Sequence, residues 1–223
     1  MEGSVFCSRP ACWAPGLESP GDWLSWADGG KAIEKSGGNP TLEFTSPLFR
    51  RRLSQLSRMT VRVVHDALEM TGCGDIKQSF ISLRGEITRQ LSMEKALITE
   101  ETVLPAAFSL SVFNAPIALA AIACGLRSGY SAIFPAGGSF HDGLVTALSP
   151  VLSGSTDRIL LVYGDELVPA EYSGLHSPDD EPLAFACVMS AEAGANGYDI
   201  PCRLDPYDTA SPASFLKKLL REV

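Results

Sequence analysis

Apolar positions along the chain switch between a period of two and a period near 3.6, and each switch predicts a change of element. Val5 to Ala14 starts strand-like and meets a turn at Ala14-Pro15-Gly16. Residues 18–46 are broken up by Pro20, Gly21, Gly29-Gly30, Gly37-Gly38 and Pro40. Within them Asp22-Trp23-Leu24-Ser25-Trp26 has helical spacing, which predicts a short helix with its tryptophans as core anchors. The clearest helix spans Pro47 to about Met70. Ser46 can cap it, Pro47 suits its first position, and Leu48, Leu53, Leu56, Met59, Val63, Val64 and Leu68 recur at three- and four-residue intervals. Gly72 and Gly74 stop it.

Gln78 to Leu83 reads as a strand, Glu86 to Leu97 as a helix, and Ser109 to Cys124 as a third helix, apolar nearly all round and hence buried. Gly125 ends it. Ser128 to Phe134 is β-prone, Pro135-Ala136-Gly137-Gly138 is a turn, and Ser139 to Leu152 is a helix. Asp157 to Tyr163 is a short apolar strand suited to the middle of a sheet. After a polar loop at 171–182, Leu183 to Met189 and Asp199 to Leu204 read as strands, and an amphipathic helix runs from about Ser211 to Leu220. Strands alternating with helices predict an α/β fold, with a mostly parallel sheet flanked by helices. No internal repeat and no linker divides the chain, so residues 1–223 are read as one domain.

Charge narrows the function. The 223 residues carry a formal net charge of −8, and a nucleic-acid binder needs a basic face. The one basic cluster, Arg50-Arg51-Arg52 with Arg58 and Arg62, is local and helical and reads as a surface or interface feature. No apolar run reaches the roughly 18–20 residues of a membrane span, and the N-terminus has no basic start followed by an apolar stretch, so a cytoplasmic location is expected. Six cysteines (Cys7, Cys12, Cys73, Cys124, Cys187, Cys202) show no metal-ligand spacing and are expected as reduced thiols.

The most informative stretch is Ala132-Ile133-Phe134-Pro135-Ala136-Gly137-Gly138-Ser139-Phe140-His141-Asp142, a strand turning sharply into a helix. Many α/β enzymes place a nucleophile at such a turn, where backbone N–H groups favour negative charge. Taken alone, the glycines need no chemistry, because they also let strand and helix pack closely. The stretch from Leu104 to Glu166 resembles the N-terminal half of the β-ketoacyl synthases, which have the thiolase-like fold. The matching features are Val112-Phe113-Asn114-Ala115, Gly125-Leu126-Arg127, Ser131-Ala132-Ile133 before the turn, and Arg158-Ile159-Leu160-Leu161-Val162. Trp13-Ala14-Pro15-Gly16-Leu17, Asp22 to Trp26 and Arg50 to Met59 are similar to short ketosynthase-like proteins encoded beside full ketosynthases in aryl polyene pathways.

The resemblance implies half of a thiolase-like fold, and its departures imply a silent one. Active members carry Ala-Cys at the turn; here Ala136 is followed by Gly137, which has no thiol to attack a thioester. The histidine phrases that drive malonyl decarboxylation are missing, and the chain reads as ending after the first half of the fold. His65, His141 and His176 stand in unrelated contexts and are expected as surface or packing residues. The implied role is a chain-length factor: a non-catalytic subunit pairing with an active ketosynthase and shaping its acyl tunnel. The carrier protein and its phosphopantetheine arm would dock mainly on the active partner. No metal, nucleotide or other cofactor is implied. In such pairs the strand before the turn, here Arg127 to Phe134, meets its mate across a two-fold axis, so Arg127, Tyr130, Ala132 and Phe134 are the expected interface. Ile87, Leu91, Met93, Phe108 and Phe113 are the candidate tunnel wall, although core packing accounts for any single one of them.

Two other classes remain. An α/β-hydrolase or acyltransferase would use Ser139 as nucleophile, Asp165 as orienting acid and His176 as base, but His141 stands where that motif needs glycine. A stand-alone acyl- or carrier-protein-binding module would use the α/β core as a pocket.

Overall fold

The computed structural model of the chain describes residues 5–103, 105–177, 180–193 and 198–222. Leu104, where the ketosynthase-like stretch begins, and residues 178 and 179 of the polar loop lie outside them. In chain order come β1 (Val5–Ser8), β2 (Ala11–Trp13), α1 (Pro20–Ala27), α2 (Pro47–Arg50), α3 (Gln55–Thr71) and β3 (Gln78–Ile81). Then follow α4 (Ile87–Glu100), α5 (Pro105–Ser109), α6 (Ala115–Cys124), β4 (Tyr130–Ile133), α7 (Phe140–Leu152), β5 (Arg158–Asp165), β6 (Leu183–Ser190), β7 (Tyr198–Cys202) and α8 (Pro212–Arg221).

All seven strands join one sheet in the order β4-β3-β5-β6-β1-β7, with β2 also on β6. The α/β architecture matches the sequence reading, but the sheet is mixed rather than mostly parallel. Only β3 with β4 and β3 with β5 pair in parallel; β5 with β6, β6 with β1 and β2, and β1 with β7 are antiparallel. The parallel half is built by α-helical crossovers, whereas β5 reaches β6 through a connection whose described residues hold one 3-10 turn, Ser173–Leu175, and no α-helix, and the chain reverses direction. The single strand-like segment at 5–14 is two short strands laid along one edge of β6. Where they part, the Val188 N–H is taken up by Ser8 Oγ at 3.0 Å, so no backbone donor is lost.

Side-chain alternation sorts the core onto the two faces of the sheet. Ile159, Leu161 and Tyr163 of β5, with Phe185, Cys187 and Met189 of β6, pack with α1, α7 and α8. Leu160 and Val162, with Ala184, Ala186 and Val188, pack under α3 and α6. The bulky set meets aromatic residues such as Phe140 and Phe215, while the two alanines let α3 come close. On α1, Trp23 and Trp26 are buried and meet edge to face at 5.7 Å, as core anchors should.

Two helices differ from their periodicity. The predicted 47–70 helix is broken between Arg50 and Gln55. Ser46 and Ser54 each cap a segment, accepting from Phe49 N and Ser57 N. The break is held by arginines that donate to carbonyls: Arg50 to Leu42 and Thr45, and Arg58 to Arg50. The expected buried helix from Ser109 to Cys124 is the last residue of a short α5, an irregular turn and α6, and it is not buried all round. Within it Val112 is 40% exposed and Ile122 70% exposed, and Phe108 just before it is exposed as well. Among the described residues no helix is long and apolar enough to cross a membrane.

Candidate functional site

The parallel strands β3, β4 and β5 end together, and the polar chemistry gathers outside their carboxyl ends, where α/β sheets open a crevice. From β4 the chain passes through Pro135 into a single 3-10 turn, Ala136–Gly138, and then into α7. Gly137 sits there with φ 65° and ψ 9°, a left-handed conformation that favours glycine. A Cβ placed on it would meet nothing within 4 Å, so Phe134 and Phe140 do not fill the space. Phe134 is exposed instead and Phe140 is buried in the core. Gly143, one turn into α7, has the opposite role. A Cβ there would come within 3.2 Å of Ile81 and 3.3 Å of Pro135, so this glycine is what lets α7 lie against β3.

A cavity of about 340 Å³ lies beside the turn, lined by Gly137, Gly138, Arg84, Tyr163, Asp165 and Glu166 among others. Asp165 is fully engaged: it accepts from Ser82 Oγ at 2.6 Å, Tyr163 OH at 2.7 Å, Leu83 N at 2.9 Å and Arg84 N at 3.0 Å. Burial holds its carboxyl above the ordinary range against the pull of these bonds, and burial raises the Tyr163 phenol as well. The hydrolase arrangement is not formed. Ser139 Oγ accepts from Asp142 N as the cap of α7, and His176 Nε2 lies 3.2 Å from the Pro169 carbonyl. Among the described residues no hydrogen bond joins Ser139, Asp165 and His176 into a relay, so the serine-nucleophile reading is set aside. His141 meets Thr209 Oγ1 at 2.6 Å, and His65 stacks on Phe44 and meets Asp66. Among the described residues no group of three or more His, Cys, Asp or Glu is placed to hold a metal ion.

Two carboxylates that the sequence reading passed over stand next to this centre. Glu86, just before α4, is completely buried and accepts from Ser54 Oγ at 2.7 Å, Ser57 Oγ at 2.5 Å and Arg89 Nε at 3.2 Å. Glu166 follows β5 and accepts from Thr88 N at 3.0 Å. Burial, opposed by that bond and reinforced by the Glu86 charge, pushes its carboxyl up to about 7. Glu166 lines both the 340 Å³ cavity and a second one of about 580 Å³ beneath α4. The adjacent acids Asp165-Glu166 at the end of a largely apolar strand were the one signal available for Glu166, and nothing comparable marked Glu86.

The predicted interface residues fall at one sheet edge, though the strand is shorter than expected. β4 covers only Tyr130 to Ile133 and, among the described residues, no strand pairs on its outer side. Arg127 lies in the preceding turn, where its N–H and that of Ser128 bind Asp75 Oδ1 at 2.7 and 2.9 Å. Those bonds hold the Asp75 carboxyl below its ordinary range. Tyr130 and Phe134 are exposed, Ala132 half-buried. The five tunnel candidates do not converge. Ile87 is buried, Leu91 and Met93 are half-buried, Phe108 is exposed on α5, and of the five only Met93 lines the 580 Å³ cavity. Phe113 instead joins a row of rings, 6.3 Å from Phe80 and 6.0 Å from Phe134, running from the core to the β4 edge.

The model of the β-ketoacyl synthase N-terminal domain matches residues 23–215. The chain belongs to that family. No curated protein matches it. Among solved structures, the ketosynthase ApeO in complex with its chain length factor ApeC from Xenorhabdus doucetiae superposes with a TM-score of 0.75 at 23% identity, covering 98% of this chain and 92% of the matched one. The ishigamide ketosynthase/chain length factor gives 0.56 at 13% identity over 87% and 64% of the two chains. The ketosynthase from module 1 of the bacillaene synthase of Bacillus amyloliquefaciens FZB42 gives 0.55 at 17%, and this chain spans 42% of its length. These likenesses establish the thiolase-like ketosynthase fold, of which the chain forms the N-terminal half.

Proposed function

We propose that the chain, acting as a single domain, is a non-catalytic chain-length-factor-like subunit that pairs with an active β-ketoacyl synthase and shapes its acyl tunnel. The observation that carries this reading is Gly137. A ketosynthase-like strand, turn and helix are present, yet the position facing the crevice has no side chain to form a thioester. Neither neighbouring acid is free to take over: Asp165 is saturated with donors, and burial opposes ionisation of both Asp165 and Glu166. The matched structure is a complex of a ketosynthase with its chain length factor, and the match covers 92% of the matched chain, which supports the pairing reading.

The β4 edge supports pairing. Tyr130 and Phe134, with Phe108, Val112 and Ile122, leave large apolar surface uncovered beside unpaired backbone groups. Arg127, Tyr130, Ala132 and Phe134 are proposed to contact the ketosynthase, and Ile87, Leu91, Met93, Phe108 and Phe113 to contribute to the tunnel once the partner closes over them. The substrate would be a growing acyl chain, of aryl polyene type, on a carrier protein in the cytoplasm. A complex of a ketosynthase with a type II acyl-carrier protein has the same fold, at a TM-score of 0.60.

Co-expression with an active β-ketoacyl synthase of the aryl polyene type, followed by size-exclusion chromatography with mass measurement, tests the reading. One-to-one co-elution, with condensation lost when the partner's cysteine is replaced and retained when Ser139 is replaced here, is expected. A stable monomer that ignores the ketosynthase would overturn it.

A further inference from the structure

The 580 Å³ cavity beneath α4 is within the size range of small-molecule sites, and its chemistry is divided. Met93, Ala96, Val103, Ala107 and Leu167 supply apolar wall. Glu166 is the innermost polar group, only 4% exposed, and it is fixed by Thr88 N at 3.0 Å. The cation on this wall, Arg89, is already committed to Glu86 and to the Arg52 carbonyl. Glu100 adds a further acidic group at the rim.

From this we infer that the cavity binds an uncharged amphiphile, an aliphatic body ending in a hydroxyl, with the hydroxyl hydrogen-bonded to Glu166. An anionic head group would meet Glu166 and Glu100, and among the described lining residues the one cation, Arg89, is already engaged. A cationic head would have to be stripped of water beside a carboxyl whose own ionisation burial opposes, a costly way to make a pair. A hydroxyl fits either state, because it donates to a carboxylate and accepts from a carboxyl. All of its described lining residues belong to this chain, and Met93 alone is shared with the proposed tunnel wall, so the inference is testable on this chain by itself.

The test titrates the full chain, or the co-purified pair, with 1-octanol, octanoate and octylamine by calorimetry. The expected result is one octanol per chain, with octanoate and octylamine at least tenfold weaker. Glu166→Gln keeps a donor and an acceptor, so it should hold octanol within about threefold while narrowing the gap to octanoate. Glu166→Leu should weaken octanol about tenfold, and Ala96→Phe, on a half-buried helix position, should fill the cavity and abolish binding. Three results would each overturn the inference: no saturable octanol binding, octanoate or octylamine equal to octanol, or binding that survives Ala96→Phe. The last would place the probe on exposed apolar surface elsewhere. Loss of octanol binding without loss of pairing separates this inference from the subunit reading, as does pairing lost with binding intact.

Discussion

Gly137 combines a left-handed backbone with open space above it, so a side chain placed there pays for conformation and not for collision. Gly137→Cys should therefore fold with a loss of about 1–2 kcal/mol, and its thiol should alkylate with iodoacetamide. Malonyl decarboxylation should not appear, because among the described residues no histidine lines the adjoining cavity; mass spectrometry and carbon dioxide release check the two halves. Glu166 gives a second expectation. Its carboxyl stands at about 7 when folded against an ordinary 4.5, so the folded state binds the extra proton between those values. Stability is full below about pH 4.5 and falls as pH rises through 7, by roughly 3 kcal/mol. Asp165, also raised by burial, slopes the same way. Urea unfolding of Glu166→Gln across pH 4.5–8 should show a clearly flatter profile than the parent. Gly137 was legible in the sequence because a missing side chain can be read directly. Glu166 was not, since its environment is made by Glu86 and Thr88, about eighty residues away along the chain.

At the scale of elements, the periodicity located the helices and missed how one of them is interrupted. The apolar stripe from Leu48 to Leu68 continues across residues 51–54, so nothing local marks a break. It is made by distant acceptors: carbonyls at 42 and 45 receive Arg50, and Glu86 receives the Ser54 hydroxyl. Ser54 thus caps α3 and satisfies a buried carboxylate at once. Ser54→Ala should cost roughly 2 kcal/mol, measured by chemical denaturation, whereas Ser46→Ala on the four-residue α2 should cost less than half as much. Strand direction was equally hidden. An apolar run such as Leu183 to Met189 looks the same in either pairing, and β5 joins β6 antiparallel where the described connection holds no α-helix to carry the chain back.

For the whole molecule, the uneven surface is the clearest guide. Phe134 is 61% exposed and touches Phe113 edge-on, so its replacement removes little from the fold. Phe134→Asp should leave thermal stability nearly unchanged and weaken association with a ketosynthase at least tenfold, as seen in light scattering and calorimetry. A pair that tolerates the change would move the interface away from β4. The fold class and the family were legible because alternating elements and a few phrases survive at low identity. The cavities were not, because their walls join segments far apart in sequence: α4 with residues 36–37, 54–55 and 166–167 around one, and residues 83–84, 137–140, 163–166 and 210–213 around the other.

The sheet order places the first strand between two of the last. β1 is bracketed by β6 and β7, with Phe6 opposite both Ser190 and Pro201. A chain emerging from the ribosome can complete β4-β3-β5 with its helices while this first segment still has no place to pair. Closure waits until residues 183–202 arrive, so the opening residues form part of the latest step of folding rather than its nucleus. Nascent chains stalled before residue 183 should leave Cys7 open to maleimide labelling, and release beyond the strands should shut it away.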